Sequence, residues 1–209
     1  MELTESLPVP LGTHEAWPGR TANLPAICRP TGRLRTLDRF GETLLLQAAS
    51  NGHEGVVRIL LRRNDISPDK RNKWNQTPLL FAAVNRHERV VRMLLEWNDI
   101  NPDRANKSDK TPLWFTARSG HEGVVPKLLA RDAVNPDQVD QFGETPLFLD
   151  VRNGREGVVR MLLGRDDISP DKANKWNQTP LSFAAMNGHV GIVRMLLERS
   201  DVNPDKANQ

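Results

Sequence analysis

The sequence predicts an all-α solenoid of stacked helix-turn-helix units with hairpin fingers between them. Two features recur every 34 residues without a slip, a threonine that opens each unit and a Leu-Leu pair that follows it. A fixed period in this range is typical of units that are stable only when stacked. The threonines are Thr43, Thr77, Thr111, Thr145 and Thr179, and the pairs begin at Leu60, Leu94, Leu128, Leu162 and Leu196.

The period divides the chain into a leader and a repeat region. Residues 1–37 contain five prolines and no sustained period, and we expect them to be a disordered leader. Residues 38–209 contain five repeats and the first residues of a sixth. The repeats are 38–71, 72–105, 106–139, 140–173 and 174–207.

Each unit begins with a helix that the sequence marks clearly. In the second unit Thr77 is placed to cap the helix, and Pro78 occupies the first helical position, where its missing N–H costs nothing. Leu79, Ala82 and Ala83 follow on one narrow face. We expect this face to be buried between neighbouring repeats.

A second helix with a wide apolar stripe follows a break at Asn-Gly-His or a related triplet. Glu88 and Arg92 are four residues apart, which predicts an ion pair within the helix. The same spacing recurs at Glu54 with Arg58 and at Glu156 with Arg160. An Asn-Pro-Asp or Ser-Pro-Asp turn then ends the helical pattern.

The link to the next helix contains a residue type that tolerates a left-handed backbone, two residues before the capping threonine. This predicts a tight turn at the tip of each finger. The five residues are Gly41, Asn75, Asp109, Gly143 and Asn177.

These motifs closely resemble the ankyrin repeat. The resemblance rests on the Thr-Pro-Leu start, the Ala-Ala face, the Gly-His break and the Val-Val-Arg-x-Leu-Leu second helix, and it covers residues 38–209. It implies an ankyrin-repeat solenoid that binds a protein partner on a concave surface of fingertips and first-helix ends. The Asn-Pro-Asp turns are similar to those of fungal arrays, which are often attached to signalling domains.

Three departures from the ankyrin pattern carry expectations. Leu80, Trp114, Phe148 and Ser182 replace the usual histidine of the first helix, so its hydrogen bond should be absent. Pro126 falls at about the fifth position of a second helix, where it should remove a hydrogen bond at a cost of about 3 kcal/mol. Asp150 replaces a stacking alanine, so we expect Asp150→Ala to stabilise the array; a functional acid is the alternative.

Composition limits the function classes. The chain has 29 basic and 26 acidic residues, a net charge of +3, which does not favour nucleic-acid binding. Glutamates four residues before most of the second-helix arginines should also neutralise them. The single Cys28 excludes an internal disulfide. With no signal sequence or membrane span, we expect an intracellular, cytoplasmic protein, with the nucleus left open.

No pattern of catalytic, metal-binding or cofactor-binding residues emerges. Histidines at one repeat position, His53, His87, His121 and His189, could suggest a metal site. Units about 8 to 10 Å apart cannot bring them together on one ion, so a structural role is favoured. Acidic turns lack the spacing of a calcium loop. Enzyme motifs are missing, so we predict a non-catalytic protein without cofactor or metal.

The predicted partner-binding residues lie at the fingertips and beside the ends of the first helices. The aromatic tip residues flanked by lysine are typical of binding anchors, although each ring could instead pack on the adjoining finger. The tip residues are Phe40, Lys73, Trp74, Lys107, Phe142, Lys175 and Trp176. The resemblance adds Gln76, Lys110 and Gln178 before the capping threonine, and Asn51, Asn85, Arg118, Arg152 and Asn187 before the interhelix turn.

The predicted function is therefore a protein-protein interaction module. The alternative is a sensor or spacer fragment of a larger signalling protein, without a binding function of its own. The last repeat keeps the apolar residues of an internal unit, so end-to-end self-association is a further expectation.

Overall fold

The computed structural model describes residues 40–205, and the predicted leader lies outside these residues. Within them the chain forms ten α-helices and no β-strand. The first helices of the five repeats are α1 (Leu44–Ser50), α3 (Pro78–Val84), α5 (Pro112–Ser119), α7 (Pro146–Arg152) and α9 (Pro180–Met186). The second helices are α2 (Glu54–Leu61), α4 (Glu88–Leu95), α6 (Val125–Leu129), α8 (Glu156–Leu163) and α10 (Val190–Leu197).

The first helices start as the sequence predicts. Thr77 has an extended backbone, and its hydroxyl accepts the N–H of Leu80 at 3.2 Å. All five capping threonines make the same bond, and proline follows in four of the repeats. In the fifth repeat Ser182 completes a capping box with Thr179, so a side-chain hydrogen bond is present where none was expected.

The core lies between two layers of helices. First helices pack against the first helices of neighbouring repeats and against the second helix of their own repeat. In the second repeat Leu79, Ala82, Ala83, Val91 and Leu94 are almost completely buried. Since helices of seven or eight residues are marginal alone in water, this stacking supplies their stability.

Side chains of the interhelix turns tie each repeat to the one before it. The Nε2 atom of His87 lies 3.0 Å from the carbonyl oxygen of Ser50, and that of His121 lies 2.8 Å from the carbonyl oxygen of Val84. In the fourth repeat Arg155 takes the histidine position and donates to the carbonyl of Arg118. Both imidazoles are thus in contact with the backbone of the preceding repeat. The described part of the chain contains no group of residues that could hold a metal ion.

The acidic turns after the second helices also link neighbouring repeats. The Asp103 carboxylate accepts the backbone N–H of Asn135 at 2.9 Å, and the Asp137 carboxylate accepts that of Ser169 at 2.8 Å. Burial raises the pKa of Asp103. These two aspartates thus act as acceptors for the backbone of the next repeat.

The structure corrects the expectation for Pro126. Helix α6 has five residues, compared with eight in each of the other second helices, and Pro126 lies in its first turn. Residues 122–124 form turns instead, with the N–H of Val124 donating to the carbonyl of His121 at 2.9 Å. A proline in the first turn removes no helical hydrogen bond, so the predicted interior defect is wrong, and the cost is a shorter helix.

The predicted ion pairs within the second helices are also wrong for Glu54 and Glu88. Glu54 lies 3.7 Å from Arg89, and Glu88 pairs at 2.9 Å with Lys127, so both contacts reach the next repeat. The hydrogen bond from Lys127 lowers the pKa of Glu88. Since both glutamates contact the next repeat, they do not pair with Arg58 and Arg92 as expected. The low net charge still argues against nucleic-acid binding.

Candidate partner-binding surface

Each finger ends in a tight turn that holds its tip residues outward. In the second repeat the N–H of Asn75 donates to the carbonyl of Asn72 at 3.1 Å. The Asn72 side chain accepts the N–H groups of Trp74 and Gln76 at 2.9 and 3.0 Å. All five predicted left-handed positions have positive φ angles, between +57° and +77°. The turn chemistry of the fingers is therefore confirmed.

The aromatic tip residues stack in pairs on adjoining fingers. The ring centroids of Phe40 and Trp74 are 5.5 Å apart, and those of Phe142 and Trp176 are 5.8 Å apart. The alternative that the rings pack on their neighbours is thus what the structure shows. Even so, Trp74 remains 45% exposed and Trp176 57% exposed. Each pair therefore offers a fixed ring with an open surface.

Backbone hydrogen bonds reinforce the stacked pairs. The N–H of Lys73 donates to the carbonyl of Phe40 at 3.1 Å, and the N–H of Lys175 donates to that of Phe142 at 3.0 Å. A third bond joins Lys107 to the carbonyl of Trp74. Since the three lysine side chains are exposed, the fingers present cations beside the rings.

In the middle of the surface, two basic residues predicted to bind a partner lie against the buried ring of Trp114. The Nζ atom of Lys110 lies 4.5 Å from the ring centroid of Trp114, and the guanidinium of Arg118 lies 5.4 Å from it. Trp114 is itself buried. Such contacts favour these positions of both cations by cation–π attraction. The sequence had marked Trp114 only as a departure from histidine, and no local signal indicated this contact.

The fourth finger carries two buried carboxyl groups that the sequence analysis missed. Asp140 and Glu144 occupy the positions of the hydrogen-bonded Asn72 and Gln76 of the second repeat. The Arg152 guanidinium donates to Glu144 at 2.7 Å, but burial outweighs this attraction and raises the pKa of Glu144. Arg152 is therefore engaged in holding the finger.

Some of the remaining residues predicted to bind a partner are buried or partly buried, and others are exposed. Gln76 is buried and accepts from Asn72, while Gln178 is partly buried and accepts from Asn174. Three asparagines at the ends of first helices are exposed and donate to backbone carbonyls, at Asn51, Asn85 and Asn187. The structure thus places the tip residues in a row along the fingertips, where all except the partly buried Phe40 are exposed. The residues before the capping threonine make supporting contacts.

The fourth repeat contains a fully buried acid on α7. Asp150 has no exposed surface, and neither carboxyl oxygen has a hydrogen-bond partner within the described residues. Burial raises its pKa to about 9, an effect that Arg155 lessens and Glu122 increases. Because a fully enclosed group cannot touch a substrate, its position favours a packing defect over a functional acid.

The last repeat exposes apolar side chains, namely Met186, Val190 and Leu197. End-to-end association through them stays a prediction. Within residues 40–205, no helix combines the length and the apolar character needed to cross a bilayer.

Comparison with known families agrees with this architecture. A family model of ankyrin repeats in three copies matches residues 26–106 and 98–174, and a model of a single ankyrin repeat matches residues 176–209. No curated protein matches the chain. Because the matched residues make up most of its length, the chain belongs to the ankyrin-repeat family.

Proposed function

We propose that this ankyrin-repeat chain is a non-catalytic module that binds a protein partner across its fingertips and first-helix ends. Ankyrin repeats are generally protein-protein interaction modules, and they are generally non-catalytic. The finer assignment of the surface rests on one observation. Tryptophan rings that are held in place by stacking remain half exposed beside lysines.

Fixed rings suit binding for a physical reason. Aromatic side chains contribute most to interfaces when they bury a large area and lose little conformational freedom. Trp74 and Trp176 already have restricted rings because Phe40 and Phe142 stack on them and the backbone bonds hold the fingers together. A partner would therefore cover their open surfaces at a low entropic cost.

Two buried groups with raised pKa values, Asp150 and Glu144, support a non-catalytic role. Asp150 is enclosed by protein, and Glu144 is buried in an ion pair with Arg152. Catalytic groups must reach a reacting atom, and neither the enclosed Asp150 nor the paired Glu144 is placed to do so. The histidines that bond to the preceding repeat are occupied in the same way.

A pull-down from lysate of the source cells tests the proposal. Wild type is compared with a Trp74→Ala, Trp176→Ala double variant and with Trp97→Ala as a matched control. Trp97 is also a partly exposed tryptophan, at 37%, but it follows a second helix and lies off the tip row. Helical circular dichroism and the melting temperature are measured for every variant.

We expect the same partner with wild type and with Trp97→Ala, and loss of that partner with the double variant at an unchanged helical signal. A partner retained by the double variant would contradict the assigned surface. If neither wild type nor any variant captures a partner, the interpretation as a spacer fragment is favoured over that as a binding module.

A further inference from the structure

The finger motif occurs twice, three repeats apart. Residues 174–181 are identical to residues 72–79, with the sequence Asn-Lys-Trp-Asn-Gln-Thr-Pro-Leu. The preceding finger is also shared, since Phe142-Gly143-Glu144-Thr145 repeats Phe40-Gly41-Glu42-Thr43. Both matches have the same offset of 102 residues, because 174 minus 72 and 142 minus 40 each equal 102. The finger sequences of repeats one and two therefore recur once, in repeats four and five.

The structure gives the two copies the same geometry. We call Phe40, Lys73 and Trp74 the first tip cluster, and Phe142, Lys175 and Trp176 the second tip cluster. The phenylalanine and tryptophan ring centroids are 5.5 Å apart in the first cluster and 5.8 Å apart in the second. The hydrogen bond from the lysine N–H to the phenylalanine carbonyl measures 3.1 Å in the first cluster and 3.0 Å in the second. Gly41 and Gly143 both have a φ of +77°. The two clusters therefore share a closely similar geometry, and Trp176 is the more exposed ring, at 57% compared with 45% for Trp74.

The third finger separates the two clusters. Ser108 occupies the position of the aromatic residue, so the row of rings is interrupted. Within the described residues, no backbone hydrogen bond joins Gln141 to Ser108, whereas the other neighbouring fingers are joined. The rings thus form two separate patches with a gap of one finger between them.

The charge of this surface is mainly positive. Lys73, Lys107 and Lys175 are exposed, and Lys110 lies in the gap above the Trp114 ring. Among the acids, Asp140 and Glu144 are buried, and Glu144 is paired with Arg152. Asp109 is an exposed acid at the third tip, and Glu42 is partly buried beside the first cluster. A partner with acidic residues between its apolar anchors complements this pattern.

We propose that the two tip clusters bind one extended, acidic segment of a partner through two apolar anchors, one on each tryptophan. This inference rests on the proposed function and adds the class of ligand. Packed helices lie about 8 to 10 Å apart, so three repeats separate the clusters by roughly 24 to 30 Å. An extended chain covers about 3.3 Å per residue, which places the two anchors about seven to nine residues apart.

Selection from a random library of displayed 18-residue peptides tests this inference. The full chain is the target, and the double variant Trp74→Ala, Trp176→Ala serves for counter-selection. Enriched peptides are synthesised, and their Kd values are measured against wild type, each single tryptophan variant and the Trp97→Ala control. The melting temperature of each variant is compared with that of wild type.

We expect enriched peptides with two apolar residues seven to nine positions apart and acidic residues between them. Each single tryptophan substitution should weaken binding at least ten-fold, by similar factors, while Trp97→Ala has no effect. Peptides that need only one of the two tryptophans, or that lack acidic residues, would overturn the two-site inference but leave the binding module in place. Selection of no tryptophan-dependent peptide would contradict both proposals.

Discussion

Replacing Asp150 with alanine is expected to stabilise the array, and to do so more at neutral pH than at acidic pH. The side chain is completely buried on α7, and its carboxyl oxygens have no hydrogen-bond partner within the described residues. The equivalent positions of three other repeats hold the buried alanines Ala48, Ala82 and Ala184. An alanine side chain therefore fits the space between the stacked first helices.

The size of the effect follows from the pKa of Asp150. Burial raises this pKa from 3.8 to about 9, so at pH 7 the native chain keeps a proton that the unfolded chain has released. For each pH unit above the pKa of Asp150 in the unfolded chain, the free energy of unfolding falls by about 1.4 kcal/mol. This amounts to about 4 kcal/mol at pH 7. Since the native state binds the extra proton, this contribution lowers stability as pH rises from 3.8 towards 9, and the cost disappears below 3.8.

Urea unfolding followed by helical circular dichroism measures this effect. At pH 7 we expect the midpoint for Asp150→Ala to rise by roughly 1 to 2 M, taking a slope of about 2 to 3 kcal/mol per molar urea. Between pH 7 and pH 5 the advantage should shrink by about 3 kcal/mol. Asp150→Asn is the matched control, because it removes the titration but keeps a buried polar group.

Two results would refute this reasoning. An advantage of Asp150→Ala that is equal at pH 5 and pH 7 would mean that the native acid is not protonated over this range. A lower midpoint for Asp150→Ala would mean that the carboxyl group makes a net favourable contribution, and the packing-defect interpretation would be wrong.

Three further substitutions test other parts of the structure. Arg152→Ala should destabilise the array by about 2 kcal/mol because it leaves the buried Glu144 without its counterion. Adding Glu144→Gln should restore most of this loss, which a double-mutant cycle by urea unfolding measures. Pro126→Arg should lengthen α6, strengthen the helical circular dichroism signal and stabilise the array by about 1 kcal/mol. An unchanged signal would show that the turn at residues 122–124 does not depend on the proline. Arg86→Gly should raise the melting temperature by a few degrees. Arg86 has a φ of +60°, a conformation that costs about 1 kcal/mol for a residue with a Cβ atom. A lower melting temperature would show that the Arg86 side chain stabilises the array by more than this strain destabilises it.

Much of the fold could be predicted from the sequence because its main signals act over a few residues. The cap of Thr77 involves a residue three positions away, and the turn at Asn75 involves one three positions back. Such contacts depend on local backbone geometry, which residue type strongly favours. Repetition at a fixed interval then extended the same prediction to every unit.

The candidate site was predicted only in part. The tip residues were singled out because aromatic residues preceded by lysine recur at one repeat position, as at Trp74 and Trp176. The supporting contacts were not, because the partners of long side chains are chosen across repeats. Lys110 could have reached solvent, but Trp114 lies close enough to hold it. The pairing of Arg152 with Glu144 likewise requires a finger and a helix end to be brought together.

By itself the sequence determined the period, the helix starts, the finger turns and the ankyrin-repeat family. Only the tertiary structure decided that Glu88 pairs with Lys127 of the next repeat, that Pro126 lies in the first turn of a shorter α6, and that the tip aromatics stack in two separate pairs. The physical reason is range. Caps and turns are set by neighbours along the chain, whereas ion pairs, ring contacts and burial depend on distances between side chains that stacking alone brings together.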